Sequence, residues 1–89
     1  MSSNLSGKTV LVTGAAGYIG SHTCLQLLKE ECKVIAYDNL DNSSFESLER
    51  VKRLSGGRGN LMTSIEGDVL DGEKLDEVFK ANTIFAVIH

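Results

Sequence analysis

Residues 13–20 read Thr13-Gly14-Ala15-Ala16-Gly17-Tyr18-Ile19-Gly20. They follow a short apolar run, 9–12, and open an amphipathic segment that ends near Glu30. This order predicts a strand, a tight turn and a helix. Such a turn aims the first unpaired N–H groups of the helix, and the positive end of its dipole, into the crevice above the sheet. Phosphate groups bind at helix ends of this kind.

The three glycines of this turn have separate predicted roles. Gly14 allows the chain to turn sharply out of the strand. Gly17 lets the backbone approach a pyrophosphate that a Cβ atom would obstruct. Gly20 lies one turn into the helix, on the face toward the sheet, where the missing side chain permits close packing. The glycine spacing, with a strand before it and a helix after it, favours a dinucleotide site over a plain turn or another nucleotide-type ligand.

The composition is that of an ordinary soluble globular domain. The chain has 89 residues, 42% hydrophobic and 24% charged, with a net charge of -3, so we expect at most one domain and no basic surface for nucleic acid or an anionic membrane. No apolar run approaches the ~20 residues of a membrane span, and the first residues do not resemble a secretion signal, which predicts a cytoplasmic protein. Cys24 and Cys32 are predicted to be core residues, and no residues are spaced as metal ligands.

A second strand is predicted over 33–37, because this run is continuously apolar, as in a buried parallel strand. It ends at Asp38, 18 residues after Gly20 (38 − 20), close to the interval at which an acid meets the ribose of a dinucleotide. A carboxylate there accepts from both ribose hydroxyls and repels a 2′-phosphate, which predicts NAD rather than NADP. The alternative is that Asp38 only begins a polar turn. Asn42 and Ser43 follow in the same turn, and they are expected either to reach adenosine or phosphate or to cap a helix.

The rest of the chain continues the alternation of helices and strands. Ser43 and Glu46 have the spacing of a capping box, which predicts a helix that ends near Leu54. Asp68 and Val69 follow the third strand and are predicted to flank the adenine, with a turn acid or a helix cap as the alternative for Asp68. The other predicted elements are a surface loop over 55–60, a strand over 61–65, a helix capped by Asp71 and a buried strand over 84–89.

These elements predict an α/β, Rossmann-like fold, the amino-terminal half of a doubly wound parallel sheet with about four strands and three helices. A strand as apolar as 84–89 is expected to have helices on both faces and a neighbour at its edge. We therefore expect residues 1–89 to form a truncated, NAD-binding half-domain.

The sequence resembles the extended short-chain dehydrogenase/reductase family, whose fingerprint is the Thr-Gly-x-x-Gly-x-x-Gly spacing of residues 13–20. Within that family it is similar to the amino-terminal half of the UDP-glucose 4-epimerases, over nearly the whole chain. The stretches that carry this similarity are Gly17-Tyr18-Ile19-Gly20-Ser21-His22-Thr23, Asp38-Asn39-Leu40 with Asn42-Ser43, Glu66-Gly67-Asp68 and Ala86-Val87-Ile88-His89.

The resemblance implies a tightly bound NAD that is not consumed, and a homodimer. Such epimerases interconvert UDP-glucose and UDP-galactose, a step of galactose metabolism, by removing a hydride from C4 and returning it to the other face of the 4-keto sugar. The resemblance also implies that the backbone at Tyr18 and Ile19 meets the pyrophosphate and that the turn after Asp38 holds the adenosine ribose. The cofactor-binding residues predicted in this way are Gly14, Gly17, Tyr18, Ile19, Gly20, Asp38, Asn39, Leu40, Asp41, Asn42, Ser43, Asp68 and Val69.

The catalytic Tyr-x-x-x-Lys of this family is not among the 89 residues. Tyr18 is followed four positions later by His22, and Tyr37 by Asp41, so we predict no catalytic residue here and expect the sugar-nucleotide domain to be absent. Two functions stay open: the cofactor-binding part of an epimerase, or a non-catalytic NAD-binding fragment. Another sugar-nucleotide epimerase, dehydratase or decarboxylase is an alternative within the family, and a methyltransferase is a remote one outside it.

Overall fold

The structure, a computed structural model, describes residues 6–41 and 43–89. The predicted contact Asn42 therefore lies outside the described residues. The elements in chain order are β1 (Thr9–Thr13), α1 (Tyr18–Lys29), β2 (Lys33–Asp38), α2 (Glu46–Leu54), a 3₁₀ turn (Gly59–Leu61), β3 (Met62–Glu66), α3 (Gly72–Ala81) and β4 (Ile84–Ile88).

The four strands form one parallel sheet in the order β3-β2-β1-β4. Side chains alternate between its two faces, as the pleat of a strand requires. Val10, Val12 and Val34 lie in the core that α1 and α2 cover, whereas Leu11 and Ile35 lie in the core on the α3 side. The predicted α/β, Rossmann-like architecture is confirmed, because each crossover helix packs its apolar side on a sheet that is apolar on both faces.

Two local predictions are wrong. The capping box does not form, because α2 begins at Glu46 and the Glu46 N–H donates to Ser44 Oγ at 3.3 Å, while the Ser43 hydroxyl is 3.5 Å from Asp38. The last strand is not buried as a whole, because β4 lies at the edge of the described sheet and leaves Phe85 56% exposed. Asp71 caps α3 as predicted, since its Oδ1 accepts from the Lys74 N–H at 3.1 Å.

Cys24 makes folding stability sensitive to alkaline pH. Its side chain is fully buried against the sheet, and burial raises the pKa of the thiol to about 12 from an ordinary 9.0. The unfolded chain therefore ionises this thiol well before the folded protein does, and the stability present below pH 9 is lost as pH rises toward 12. We expect the free energy of unfolding to fall by about 2 kcal/mol more between pH 8 and pH 11 in the wild type than in a Cys24→Ala variant.

Urea denaturation at each pH measures this difference. All other ionisable groups are the same in both proteins, so their contributions cancel in the comparison. Parallel pH dependences for the wild type and the Cys24→Ala variant would show that the buried thiol does not carry the effect.

Candidate functional site

The carboxyl ends of the four parallel strands meet at one edge of the sheet. β1 lies between β2 and β4, so the chain winds outward from β1 in one direction and later returns to its other side. Ligands of open α/β sheets bind in the crevice at such a reversal. A crevice of about 280 Å³ lies there, lined by Thr13, Gly14, Tyr37, Asp38, Asn39, Gly67, Val69 and His89.

The turn after β1 has the shape that the glycine spacing predicts. Gly14 has a φ of 64°, in the left-handed region that favours glycine. The Gly17 N–H donates to the Gly14 carbonyl at 3.2 Å, and the Gly17 carbonyl accepts the first helical hydrogen bond from Ser21 at 2.8 Å. Within the described residues no side chain caps the start of α1. The first N–H groups of this helix can therefore serve an anion.

Gly17 and Gly20 differ in what surrounds them. A Cβ on Gly20 would lie 2.1 Å from the Gly14 carbonyl oxygen and 2.8 Å from Ala15 Cα. Both are backbone atoms, so the clash could be relieved only by a shift of the main chain. The turn itself therefore excludes a side chain at Gly20. A Cβ on Gly17 would lie 3.4 Å from the same carbonyl oxygen, an ordinary contact. The internal packing thus leaves space in front of Gly17 that a ligand can use.

Asp38 joins two turns at the edge of the crevice. Its side chain is 7% exposed. Oδ2 accepts from the Ala16 N–H of the glycine turn at 2.9 Å, and Oδ1 accepts from the Leu40 N–H at 2.7 Å. Hydrogen bonds from N–H groups to a carboxylate are among the stronger ones in proteins. The structure therefore shows a role that the sequence did not indicate: the predicted ribose acid also holds the glycine turn.

The segment after Asp38 forms its own small turn. Leu40 has a φ of 62°, and its side chain packs against the hydrophobic core. Asn39 and Asp41 are exposed and hydrogen-bonded to each other, with the Asp41 N–H donating to Asn39 Oδ1 at 3.1 Å. Of these residues, Asn39 lines the crevice. Any contact of Leu40 with a cofactor would have to come from its backbone, because its side chain belongs to the core.

The turn after β3 forms the opposite wall of the crevice. The Gly67 N–H donates to the Asp38 carbonyl at 2.9 Å and continues the pairing of β2 with β3. Asp68 Oδ1 accepts from the Leu70 N–H at 2.8 Å, so this carboxylate acts as a turn acid, the alternative considered from the sequence. Val69 is 43% exposed and lines the crevice.

Tyr37 is a crevice residue that the sequence interpretation missed. Its side chain is fully buried, and its hydroxyl donates to the Asp68 carbonyl at 2.9 Å. Burial raises the pKa of the phenol, and the carboxylates of Asp71 and Asp68 raise it further. A tyrosine directly after the apolar run Val34-Ile35-Ala36 was the available signal, since a buried phenol needs a hydrogen-bond partner.

The histidines lie outside the core. His89 lines the crevice, and its Nδ1 is 2.6 Å from Thr13 Oγ1 at the end of β1. His22 is exposed. Its ring contacts that of Tyr18, and its Nδ1 is 3.1 Å from the Tyr18 carbonyl oxygen. Among the residues described, no group of His, Cys, Asp or Glu is arranged to hold a metal ion, and no helix has the length and apolar content to cross a membrane.

Comparison with known proteins finds UDP-glucose 4-epimerases as relatives. The UDP-glucose 4-epimerase of Bacillus subtilis is 52% identical over 80 residues, which cover 90% of this chain and 23% of that protein. UDP-glucose 4-epimerase 2 of Arabidopsis thaliana is 50% identical over 82 residues, which cover 92% of this chain and 23% of that protein. The chain therefore spans about a quarter of the length of the curated relatives it matches.

Solved structures agree with the sequence relatives. The UDP-glucose 4-epimerase of Bifidobacterium longum, in complex with NAD+ and UDP, superposes with a TM-score of 0.84 at 44% identity, over 92% of this chain and 24% of that one. The dTDP-glucose 4,6-dehydratase of Bacillus anthracis, in complex with NAD, superposes with a TM-score of 0.77 at 25% identity, over 91% of this chain and 26% of that one.

The model of the NAD dependent epimerase/dehydratase family matches residues 10–89. The matched range contains all of β1 except Thr9, the glycine turn and the carboxyl ends of the other three strands. The resemblance inferred from the motifs is thereby confirmed. The chain belongs to the NAD dependent epimerase/dehydratase family.

Proposed function

We propose that this chain is the NAD-binding amino-terminal part of a UDP-glucose 4-epimerase. The observation that carries the proposal is the crevice itself, in which an uncapped helix start and a buried carboxylate meet where the sheet reverses its winding. About half of the aligned residues are identical to those of several UDP-glucose 4-epimerases, and this identity supports the proposal of that activity within the family.

The residues present fit a dinucleotide. The diphosphate would lie against the N–H groups of Tyr18 and Ile19, where the space in front of Gly17 admits it and where the helix dipole favours negative charge. Asp38 lies beside this position and offers its carboxylate to the ribose hydroxyls. The same negative charge disfavours a 2′-phosphate, which selects NAD over NADP.

The adenine would lie between the turn after β2 and the turn after β3. Val69 and Asn39 contribute exposed surface on these two sides. Asp68 uses one carboxylate oxygen for the Leu70 N–H, and a carboxylate has further acceptor positions for the exocyclic amine. Asp41 and Ser43 complete the proposed ribose side, together with Asn42.

When bound, NAD would take the hydride from C4 of the sugar and return it. The chain's own residues would hold the cofactor and orient it at the carboxyl edge of the sheet. The proton transfer from the sugar hydroxyl needs a base within hydrogen-bond reach, and neither Tyr18 nor Tyr37 has a lysine four positions on. We place that base, and the domain that grips the nucleotide sugar, in residues other than these 89, so this half-domain is proposed to be inactive alone.

A non-catalytic NAD-binding chain is the second candidate, favoured by the lack of the Tyr-x-x-x-Lys. A different epimerase or dehydratase of the same family is a third, favoured by the likeness to the dTDP-glucose 4,6-dehydratase. UDP-glucose and UDP-galactose as substrates, a homodimer and a cytoplasmic location belong to the first proposal. A Tyr-x-x-x-Lys in the reading frame after His89 would separate the second candidate from the first and the third, because only an enzyme of this family needs that motif.

The direct test is to assay the protein that contains this chain for NAD binding and for interconversion of UDP-glucose and UDP-galactose. We expect NAD to bind and NADP not to bind detectably. Binding of NAD without turnover of either sugar nucleotide would overturn the first candidate and leave the second and the third, and absence of NAD binding would overturn all three.

Gly17→Ala tests the diphosphate position. The added Cβ meets only an ordinary contact inside the protein but occupies the space proposed for the diphosphate, so we expect NAD affinity to fall about tenfold while the free energy of unfolding changes by less than about 0.5 kcal/mol. Gly72→Ala is the matched control, because a Cβ there has no neighbour within 4 Å and Gly72 lies outside the crevice. If both variants bound NAD like the wild type, the diphosphate would have to lie elsewhere.

A further inference from the structure

Tyr37 lies beneath the crevice, with its side chain on the α3 face of the sheet. It is the residue before the proposed ribose acid and packs in one cluster with Leu11, Ile35 and Val78. Its ring is fully buried, yet the residue borders the crevice. A buried phenol carries a polar hydroxyl into an apolar cluster, which is unfavourable unless the hydroxyl finds a partner.

The hydroxyl finds that partner in the opposite wall of the crevice. It donates to the Asp68 carbonyl at 2.9 Å, and this carbonyl also accepts from the Asp71 N–H at 3.0 Å. An ordinary phenol, with a pKa of about 10, is already protonated at physiological pH. Burial raises the pKa of Tyr37 further, so the hydroxyl stays a donor. The hydroxyl thus tethers the residue immediately before Val69.

The ring fixes the same wall by contact. A Cβ on Gly67 would lie 2.3 Å from the Tyr37 hydroxyl oxygen and 2.5 Å from Cζ, so the turn after β3 lies directly on the ring. The Tyr37 carbonyl, by contrast, accepts from the Ala15 N–H of the glycine turn at 3.3 Å. The backbone of Tyr37 therefore supports the wall of the crevice formed by the glycine turn. Its side chain supports the opposite wall, the turn after β3.

We infer that the Tyr37 side chain is a positioning residue for the adenine end of the cofactor: its hydroxyl holds the Asp68 carbonyl, and with it the turn whose Asp68 carboxylate is proposed to accept from the exocyclic amine of adenine. This inference rests on the proposed binding of NAD. Since the backbone interactions of residue 37 are unchanged in a side-chain variant, the loss should fall on recognition of adenine and spare the diphosphate and ribose contacts.

The test uses Tyr37→Phe in the full protein, with NAD and nicotinamide hypoxanthine dinucleotide, which lacks the amino group of adenine. Removing one buried hydrogen bond should weaken NAD about fivefold. The hypoxanthine analogue, which has no amine to be placed, should weaken by less than about twofold. The ratio of the two dissociation constants should therefore shrink in the variant.

Ser55→Ala is the control for a merely structural effect. Ser55 is buried and its hydroxyl donates to the Lys52 carbonyl at 2.7 Å, so this variant also loses one buried hydroxyl bond, but after α2 and away from the crevice. It should lower the unfolding midpoint and leave both dissociation constants unchanged. Should the Phe variant be too unstable, the wild type and both variants are compared in the same concentration of trimethylamine N-oxide, an osmolyte that favours the folded state.

The outcomes separate the two claims. A wild-type protein that does not bind NAD would overturn the proposed function and this inference with it. A wild-type protein that binds NAD, with a Tyr37→Phe variant that keeps the wild-type ratio for the two dinucleotides, would overturn the role of Tyr37 alone.

Discussion

Replacing Gly20 by alanine is expected to destabilise the protein by about 3 kcal/mol or more, a large share of the roughly 5–15 kcal/mol by which ordinary domains are stable. The new Cβ would lie 2.1 Å from the Gly14 carbonyl oxygen and 2.8 Å from Ala15 Cα. Both atoms belong to the backbone of the turn, and the turn is itself held to β2 through the Ala15 and Ala16 N–H groups. The clash therefore cannot be relieved by rotating a side chain.

Thermal unfolding and the yield of folded protein measure this effect. Gly17→Ala is the matched comparison, because it adds the same methyl group one helical turn earlier with only an ordinary contact at 3.4 Å. We expect Gly20→Ala to lower the unfolding midpoint and the yield of folded protein strongly, and Gly17→Ala to weaken NAD binding about tenfold with little change in stability. A Gly20→Ala protein with wild-type stability would mean that α1 can move away from the turn, and that the close packing described here is not required.

Asp38→Ala is expected to reduce both stability and cofactor affinity. Without the carboxylate the Ala16 and Leu40 N–H groups lose their acceptors, and the Ala16 bond is buried. Hydrogen bonds to charged groups are worth about 1.5–3 kcal/mol each, so we expect a loss of about 3 kcal/mol in the free energy of unfolding. NAD affinity should fall about a hundredfold, because the ribose contact and the order of the glycine turn are lost together.

Chemical denaturation and a cofactor titration on the same samples separate the two effects. Asp38→Asn should fall between the wild type and the alanine variant. The Ala16 and Leu40 N–H groups donate to different carboxylate oxygens, and the amide replaces one of these oxygens by an NH2 group that cannot accept. Asp76→Ala is the control for removing a negative charge. Asp76 is exposed on the surface of α3, where its carboxylate forms an ion pair with Lys80 Nζ at 3.1 Å. An Asp38→Ala protein as stable as the wild type would show that the carboxylate does not hold the turn.

The fold could be predicted from local patterns. The apolar run before Gly14 and the helical periodicity after Gly17 depend only on neighbouring residues. The amphipathic segment that was predicted to end near Glu30 is α1, Tyr18–Lys29. The capping box was predicted wrongly, because that prediction also used only local spacing. Ser43 has the required spacing to Glu46, but its hydroxyl lies near Asp38 instead, and a motif of spacing cannot register a competing acceptor in another element.

The candidate site could be predicted only in part. The glycine turn and Asp38 are both at the crevice, where the spacing placed them. Their contacts with NAD stay predictions, and so does each of the other proposed cofactor residues. Tyr37 was missed because nothing in its sequence neighbourhood shows that the turn after β3 lies on its ring.

By itself, the sequence determined the order of strands and helices, the sharp turn at the start of α1 and the kinship with a family, because each of these depends on residues close together in the chain or on their order. Only the tertiary structure decided which groups satisfy one another across the crevice. Ala16 bonds to Asp38, 22 positions away, and Tyr37 bonds to Asp68, 31 positions away. Such pairs form because parallel strands bring their carboxyl ends to one edge, and hydrogen bonds and close contacts act over distances in space that the linear order does not encode.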